Sequence, residues 1–257
     1  MHTIVLATQK GGSGKSTLAI GLALAAQQAG HNVRLIETDK QGTLSKWQCR
    51  RGLAEPLVEP IYNPADIENR LPALERGGVT LTIIDTASGI TAATTAAIRH
   101  ADMTLIPARP SIADIEATAA TLGVIKAWKK PFAYILNQTP LRGQRIDAAA
   151  STLSDDAGYD LFDVVAQPFV VMRNDHQDAL TAGLAVSEFA PSGKSADEMR
   201  DLWRWVETRL NCAVPAEEEI VAVPEFPILL RERLQSIQPP SSLPTWADTN
   251  PSWDACL

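Results

Sequence analysis

The chain has 257 residues, enough for one α/β domain with a large core, and its 45% apolar and 21% charged residues are ordinary for a water-exposed globular protein. No apolar run reaches the length of a membrane span, and the N-terminal Thr3–Ala7 stretch lacks the basic flank and small-residue cleavage site of a secretory signal. Cys49, Cys212 and Cys256 are far apart and form no CxxC, which argues against a disulfide framework or a zinc site, so the expectation is a cytoplasmic protein.

The elements alternate in chain order. Thr3–Thr8 is apolar and β-branched and predicts a strand, followed at once by a glycine-rich loop. Ser16–Ala29 predicts a helix with Leu18, Leu22, Ala25, Ala26 and Ala29 on one face and Gly30 as its stop. Asn32–Glu37 reads as a strand and Leu44–Arg51 as a short helix. Thr80–Asp85 and Met103–Pro107 read as buried strands. Ser111 caps a helix running to about Trp128. Phe132–Asn137 predicts a strand, Gly143–Ala157 a helix, Leu161–Ala166 a strand and Asp175–Ala182 a helix. Ser195–Leu210 predicts a final amphipathic helix in which Trp203 and Trp205 are packing residues. Such alternation with apolar strands predicts an α/β fold: a mostly parallel, twisted sheet with helices on both faces.

The composition changes near residue 212. Seven of the 17 prolines, seven acids and only two bases fall from Pro215 onward, leaving residues 1–214 with a net charge of -2 out of the total -7. Residues 1–212 are therefore expected to form the folded domain. Residues 213–257 are expected to be an acidic, proline-rich, irregular tail, with about two or three amphipathic helical turns at Ile228–Ile237. The body is close enough to neutral for a local basic patch.

Gln9-Lys10-Gly11-Gly12-Ser13-Gly14-Lys15-Ser16-Thr17 lies between the first strand and the first helix, the setting a phosphate-binding loop needs. Glycines let the backbone curl so that Gly11, Gly12, Ser13 and Gly14 turn their N–H groups toward anionic oxygens. The helix N-terminus adds its positive dipole end. Lys15 suits the β- and γ-phosphates, the Ser16 hydroxyl Mg²⁺, and Thr17 the α-phosphate. The general pattern asks for glycine at position 9. This chain has Gln9, followed by a second lysine, Lys10.

KGGSGKST resembles the deviant Walker A motif of the ParA/MinD family, and the likeness extends over about residues 1–210, closest to the short ParA (ParF-like) partition ATPases. The resemblance implies a doubly wound P-loop NTPase that binds ATP and Mg²⁺, pairs as an ATP sandwich homodimer and hydrolyses ATP slowly. It gives Lys10 a role in trans on the partner subunit's phosphates, where a compact cation at a dry interface offsets charge as the bond breaks. Glu37-Thr-Asp39-Lys-Gln41-Gly42 resembles the family's DxDxQG, with Glu37 in place of its first aspartate. Asp39, at a strand's C-terminal end, is the candidate that positions or activates the attacking water. Leu81–Asp85 is an apolar strand ending in aspartate, the Walker B pattern, whose carboxylate holds Mg²⁺ through a water. Ala87-Ser88-Gly89 replaces the double proline common in the family and leaves that switch loop's geometry open.

Asn137 ends a strand where the family places an asparagine that reads adenine through its donor and acceptor. The family's ATP dimer binds DNA nonspecifically through surface bases, and the candidates here are Arg142, Arg145, Lys194, Arg200, Arg204 and Arg209. Their alternative is a solvated charged face beside Asp201 and Glu207. The expected partners are a second copy of the chain, nonspecific DNA, and a ParB-like or small DNA-binding adaptor that stimulates hydrolysis. The expected setting is nucleoid-associated, the cargo a plasmid, a chromosome or a protein cluster. A MinD-like membrane switch is the alternative; it needs a basic amphipathic C-terminal helix, whereas Ile228–Ile237 holds only Arg231 and Arg233. A ligase or iron-protein relative on the same scaffold finds no support in a substrate pocket or in cysteines after Asp85.

Overall fold

The computed structural model describes residues 1–212. In chain order it contains β1 (His2–Leu6), α1 (Lys15–Gln28), β2 (Val33–Glu37), α2 (Thr43–Arg51), β3 (Leu57–Pro60) and α3 (Pro64–Arg76). Next come β4 (Leu81–Asp85), α4 (Ala92–Arg99), β5 (Met103–Ala108), α5 (Ile112–Glu116), α6 (Thr118–Ala127) and β6 (Phe132–Leu136). It closes with α7 (Gln144–Ala157), α8 (Leu161–Val164), α9 (Asp175–Thr181), α10 (Val186–Phe189) and α11 (Lys194–Cys212). The Ile228–Ile237 segment lies outside the described residues. Among the described residues no helix is long and apolar enough to cross a membrane.

The six strands pair in parallel in the order β3-β2-β4-β1-β5-β6. Alternation along each strand divides the core between the two faces. Ile4 and Leu6 of β1 join Leu35, Ile83 and Leu105 on the face covered by α1, α2 and α11, where Leu18, Leu22, Trp47, Met199 and Trp203 are buried. Val5 and Ala7 point the other way, toward Ile67, Leu71, Ile98, Ile125 and Leu153 of α3, α4, α6 and α7. Gly21 lets α1 and α11 meet closely, since a Cβ there would sit 2.7 Å from Met199 Sδ. Trp203 is buried as expected, and Trp205 packs at the margin of the same cluster.

The fold is the expected α/β architecture, with local differences. β3 and α3 are additional: β3 is a four-residue edge strand ending in Pro60, and α3 contains Pro72, so both look like loop in a one-dimensional pattern. What starts α3 is local, namely the Asn63 cap and Pro64 in the first turn. α4 is also additional, a short Ala/Thr-rich helix capped by Thr91. The helix capped by Ser111 divides into α5 and α6 at Ala117. Leu161–Ala166 is not a strand: its first four residues form α8, with Phe162 and Asp163 exposed and Val164 buried. Val165 forms a single bridge to Tyr134, and Ala166 N donates to Tyr134 O at 2.8 Å, so the segment meets the sheet without extending it. A short apolar run fits both periodicities, and here the helical turn buries it against the edge strand β6.

β1 lies between β4 and β5, so successive crossovers leave it in opposite directions. That arrangement opens a crevice beyond the carboxyl ends of the central strands, and the loops after β1, β4 and β5 border it.

Candidate nucleotide site

The loop after β1 curls because Gly12 and Gly14 adopt left-handed backbones, with φ of 77° and 90°. Gly14 is the N-cap of α1, and a Cβ there would overlap the Asn137 side-chain nitrogen. Lys15 opens the helix and is buried, with its ammonium 3.3 Å from Ser88 Oγ. Burial lowers the Lys15 pKa, while the Asp85 and Asp39 carboxylates oppose that fall.

Ser16 Oγ donates to Asp85 Oδ2 at 2.6 Å. Asp85 is fully buried at the end of β4, and its Oδ1 has no protein partner. Burial pushes this carboxyl up to about 7, the Ser16 bond and the Lys15 charge pull it down, and Glu37 and Asp39 add to the rise. Ser13 Oγ is likewise buried without a partner. A carboxylate oxygen and a hydroxyl left unpaired in the interior, beside an ammonium, suit a hydrated divalent cation and the oxygens of a phosphate. Mg²⁺ and a nucleotide phosphate chain fit this donor set.

Asp39 follows β2 and accepts the Gln41 N–H through Oδ1 at 2.9 Å. Glu37, the departure from the family's motif, is completely buried and accepts from Leu44 N at 2.7 Å and from Ser45 N at 3.3 Å. The N-cap position of α2 is Gly42, which has no side chain to offer, so the longer Glu37 side chain supplies the helix N-terminus with its acceptor. Sequence reading missed this capping role, and its one available signal was the substitution of Glu for Asp. It missed Ser88 too. The Ala87-Ser88-Gly89 turn approaches the phosphate loop, with Gly89 N donating to Thr8 O at 3.3 Å.

Lys10 does not point into its own cradle. Its ammonium is 2.8 Å from Asp114 Oδ2, and its side chain keeps about a third of its exposure. Asp114 also accepts from Arg109 Nε at 2.9 Å and from Ser111 Oγ at 2.6 Å. Burial alone would raise its pKa, but the bonds from Arg109, Lys10 and Ser111 outweigh it and hold the carboxyl at about 2. Ser111 caps α5, as its position suggested. Asn137, at the end of β6, is buried and donates Nδ2 to Ser13 O at 2.7 Å, so it braces the loop directly.

The basic candidates separate into two groups. Arg142, Arg145 and Lys194 are exposed, and none forms an ion pair among the described residues. Arg200 pairs with Asp197 at 2.6 Å and also donates to Pro191 O. Arg204 pairs with Asp201, and Arg209 donates to Phe162 O while lying 3.8 Å over the Trp205 ring.

A glycine-curled loop at a helix N-terminus, a buried lysine and a hydroxyl–carboxylate pair at the switch point of a parallel sheet define a P-loop nucleotide-binding protein. Residues 4–179 match the model of the CobQ/CobB/MinD/ParA nucleotide binding domain, and the chain belongs to that family. It is a ParA/MinD-type ATPase, with ATP and Mg²⁺ as its cofactors. It is 26% identical over 208 residues to the maintenance of carboxysome distribution protein A of Halothiobacillus neapolitanus, a match covering 78% of this chain and 94% of that one. In fold it is similar to a Cyanothece McdA–ATP complex, at 18% identity and a TM-score of 0.66, covering 84% and 99% of the two chains. It is likewise similar to the septum site-determining protein MinD of Pyrococcus horikoshii complexed with Mg-ADP, at 17% identity and a TM-score of 0.64 over 84% and 99%.

Proposed function

We propose that this chain is a cargo-positioning ATPase: two ATP-bound copies close face to face, the dimer grips DNA without reading its sequence, and slow, partner-stimulated hydrolysis releases it. The observation that carries this reading is Lys10. Lys15 is buried at the start of α1 within the loop's own curl, while the second lysine of the loop is turned outward onto Asp114 and stays partly exposed. A cation held there is available to a second copy, and transfer from Asp114 to the partner's phosphates would make closure depend on ATP.

The remaining residues take roles that their placement supports. The N–H groups of Gly11–Thr17 and the Lys15 ammonium hold the phosphate chain. Ser16 and Asp85 hold Mg²⁺, Asp85 through a water, and the bound metal would withdraw charge from the phosphates. Asp39, one carboxylate oxygen of which is engaged by Gln41 N, orients the attacking water with the other. Asn137 has spent one N–H on Ser13; its carbonyl and second N–H remain for the adenine edge. For DNA, Arg142, Arg145 and Lys194, which form no ion pair among the described residues, are the better candidates, because Arg200, Arg204 and Arg209 are already engaged. A ParB-like or small DNA-binding adaptor is the stimulating partner, and the setting is the nucleoid. The cargo is a plasmid, a chromosome or a protein body, the last supported by the relative named for carboxysome distribution. The ATPase domain spans residues 1–212, and residues 213–257 follow it as an acidic, proline-rich segment.

DNA binding measured with ATP, with ADP and without nucleotide across a salt series tests the reading. Binding only with ATP, falling steeply with salt and lost in Lys10→Ala while ATP affinity stays, is expected. DNA binding indifferent to nucleotide overturns it. ATP-dependent pelleting with lipid vesicles, abolished by deleting residues 226–257, would put a membrane switch in its place.

A further inference from the structure

The loop after β6 touches the phosphate loop through two consecutive amide side chains. Asn137 Nδ2 donates to Ser13 O at 2.7 Å, and Gln138 Nε2 donates to Gly12 O at 3.0 Å. Gln138 makes its bond from a left-handed backbone, with φ of 53°. A non-glycine residue adopts that conformation at a cost, and persists in it where surrounding contacts demand it. The fit is close: a Cβ on Gly14 would overlap Asn137 Nδ2 and approach Gln138 Nε2 to 3.5 Å.

Each peptide unit is planar and trans, so a carbonyl and the following N–H point in opposite directions. Fixing the Gly12 carbonyl outward therefore aims the Ser13 N–H inward, and fixing the Ser13 carbonyl aims the Gly14 N–H inward. Those are the N–H groups from which a phosphate nest is made. Gly12 and Gly14, both left-handed, are the residues at which these planes turn most easily.

We propose that Asn137 and Gln138 form an amide clasp that holds the phosphate loop in its anion-receiving curl, with Gln138 a positioning residue for nucleotide binding. With the clasp in place, the loop is ordered before the nucleotide arrives, and the phosphates need not supply that ordering themselves. The clasp acts equally on the bound nucleotide and on the transition state, so it governs affinity and leaves the chemical step alone.

The test uses the full chain with Gln138→Gly and Gln138→Met. The glycine variant removes the donor and relieves the left-handed strain; the methionine variant removes the donor and keeps the strain and most of the bulk. MgADP affinity is measured by calorimetry, nucleotide-free melting temperature by scanning calorimetry, and steady-state ATP turnover gives KM and kcat. Loss of one hydrogen bond predicts roughly three- to tenfold weaker MgADP binding in both variants. KM should rise by a similar factor at unchanged kcat, and the glycine variant should melt no lower than the parent. MgADP affinity within twofold of the parent in Gln138→Gly overturns the proposal. So does a loss that merely accompanies a lower melting temperature, which would mark Gln138 as scaffold. If Gln138→Met fails to fold, Gln138→Gly alone decides.

Discussion

Asp85 concentrates the electrostatic problem of the site. A carboxyl buried with one oxygen unpaired is held up to about 7, well above its unfolded value of roughly 4. The native state therefore binds this proton more tightly than the unfolded state does. The resulting stability is complete below about pH 4 and is lost as pH rises toward 7, a change on the order of 4 kcal/mol. Nucleotide-free protein should accordingly melt lower at pH 8 than at pH 5. Asp85→Asn should flatten that dependence and raise the pH 8 melting temperature by several degrees, while losing Mg²⁺-dependent nucleotide binding. A variant that melts below the parent at pH 8 would contradict this account. The same residue illustrates a functional site that destabilises the empty fold, because Mg²⁺ would supply the countercharge.

At the scale of elements, the Thr38–Gly42 turn between β2 and α2 hangs on one side chain. Glu37 joins the end of β2 to the start of α2 by accepting from Leu44 N and Ser45 N, and the helix has no other side-chain cap. That bond fixes where the Thr38–Gly42 turn, and hence Asp39, sits against the crevice. Glu37→Gln keeps one acceptor but loses the charge at the helix N-terminus, and about 1 kcal/mol of stability should go with it. ATP turnover should fall more than ATP affinity, since the displaced group is Asp39, the residue proposed to orient the attacking water, and not the phosphate loop. Thermal melting together with separate kcat and affinity measurements checks this; equal losses in both would place Glu37 in the binding of nucleotide instead. The helices also differ in how they could be read in advance. α1 and α11 are long and bury many apolar side chains, whereas β3 and α8 are four residues each and owe their state to the neighbours that cover them.

At the scale of the whole molecule, the charge map decides how a chain of net charge -7 could meet DNA. A binding face requires bases that are not already neutralised. Arg200 and Arg204 are matched by Asp197 and Asp201 three residues before them, while Arg142 and Arg145 are exposed near the loop that clasps the nucleotide site. The double variant Arg142→Glu with Arg145→Glu should weaken ATP-dependent DNA binding by tenfold or more and lower its salt dependence by about two phosphate contacts. Arg200→Ala with Arg204→Ala should change it less than threefold. Filter binding or anisotropy at several salt concentrations separates the two, and the reverse ranking would return the DNA face to α11.

Features that depend on neighbours a few residues apart are legible in the chain alone. Gly12 and Gly14 permit the left-handed turns of the phosphate loop, the apolar run before Asp85 makes a buried strand that ends in an acid, and the alternation of periods gives the parallel α/β architecture. Even the neutralisation of Arg204 was written locally, in an acid one helical turn away. The contacts between loops that the sheet brings together are set by the folded chain instead. Lys10 meets Asp114 across 104 residues, and Ser13 and Gly12 meet Asn137 and Gln138 across 124 and 126. The β1–β5–β6 ladder sets those distances, and no pattern within one segment can encode which partner a side chain will find on another.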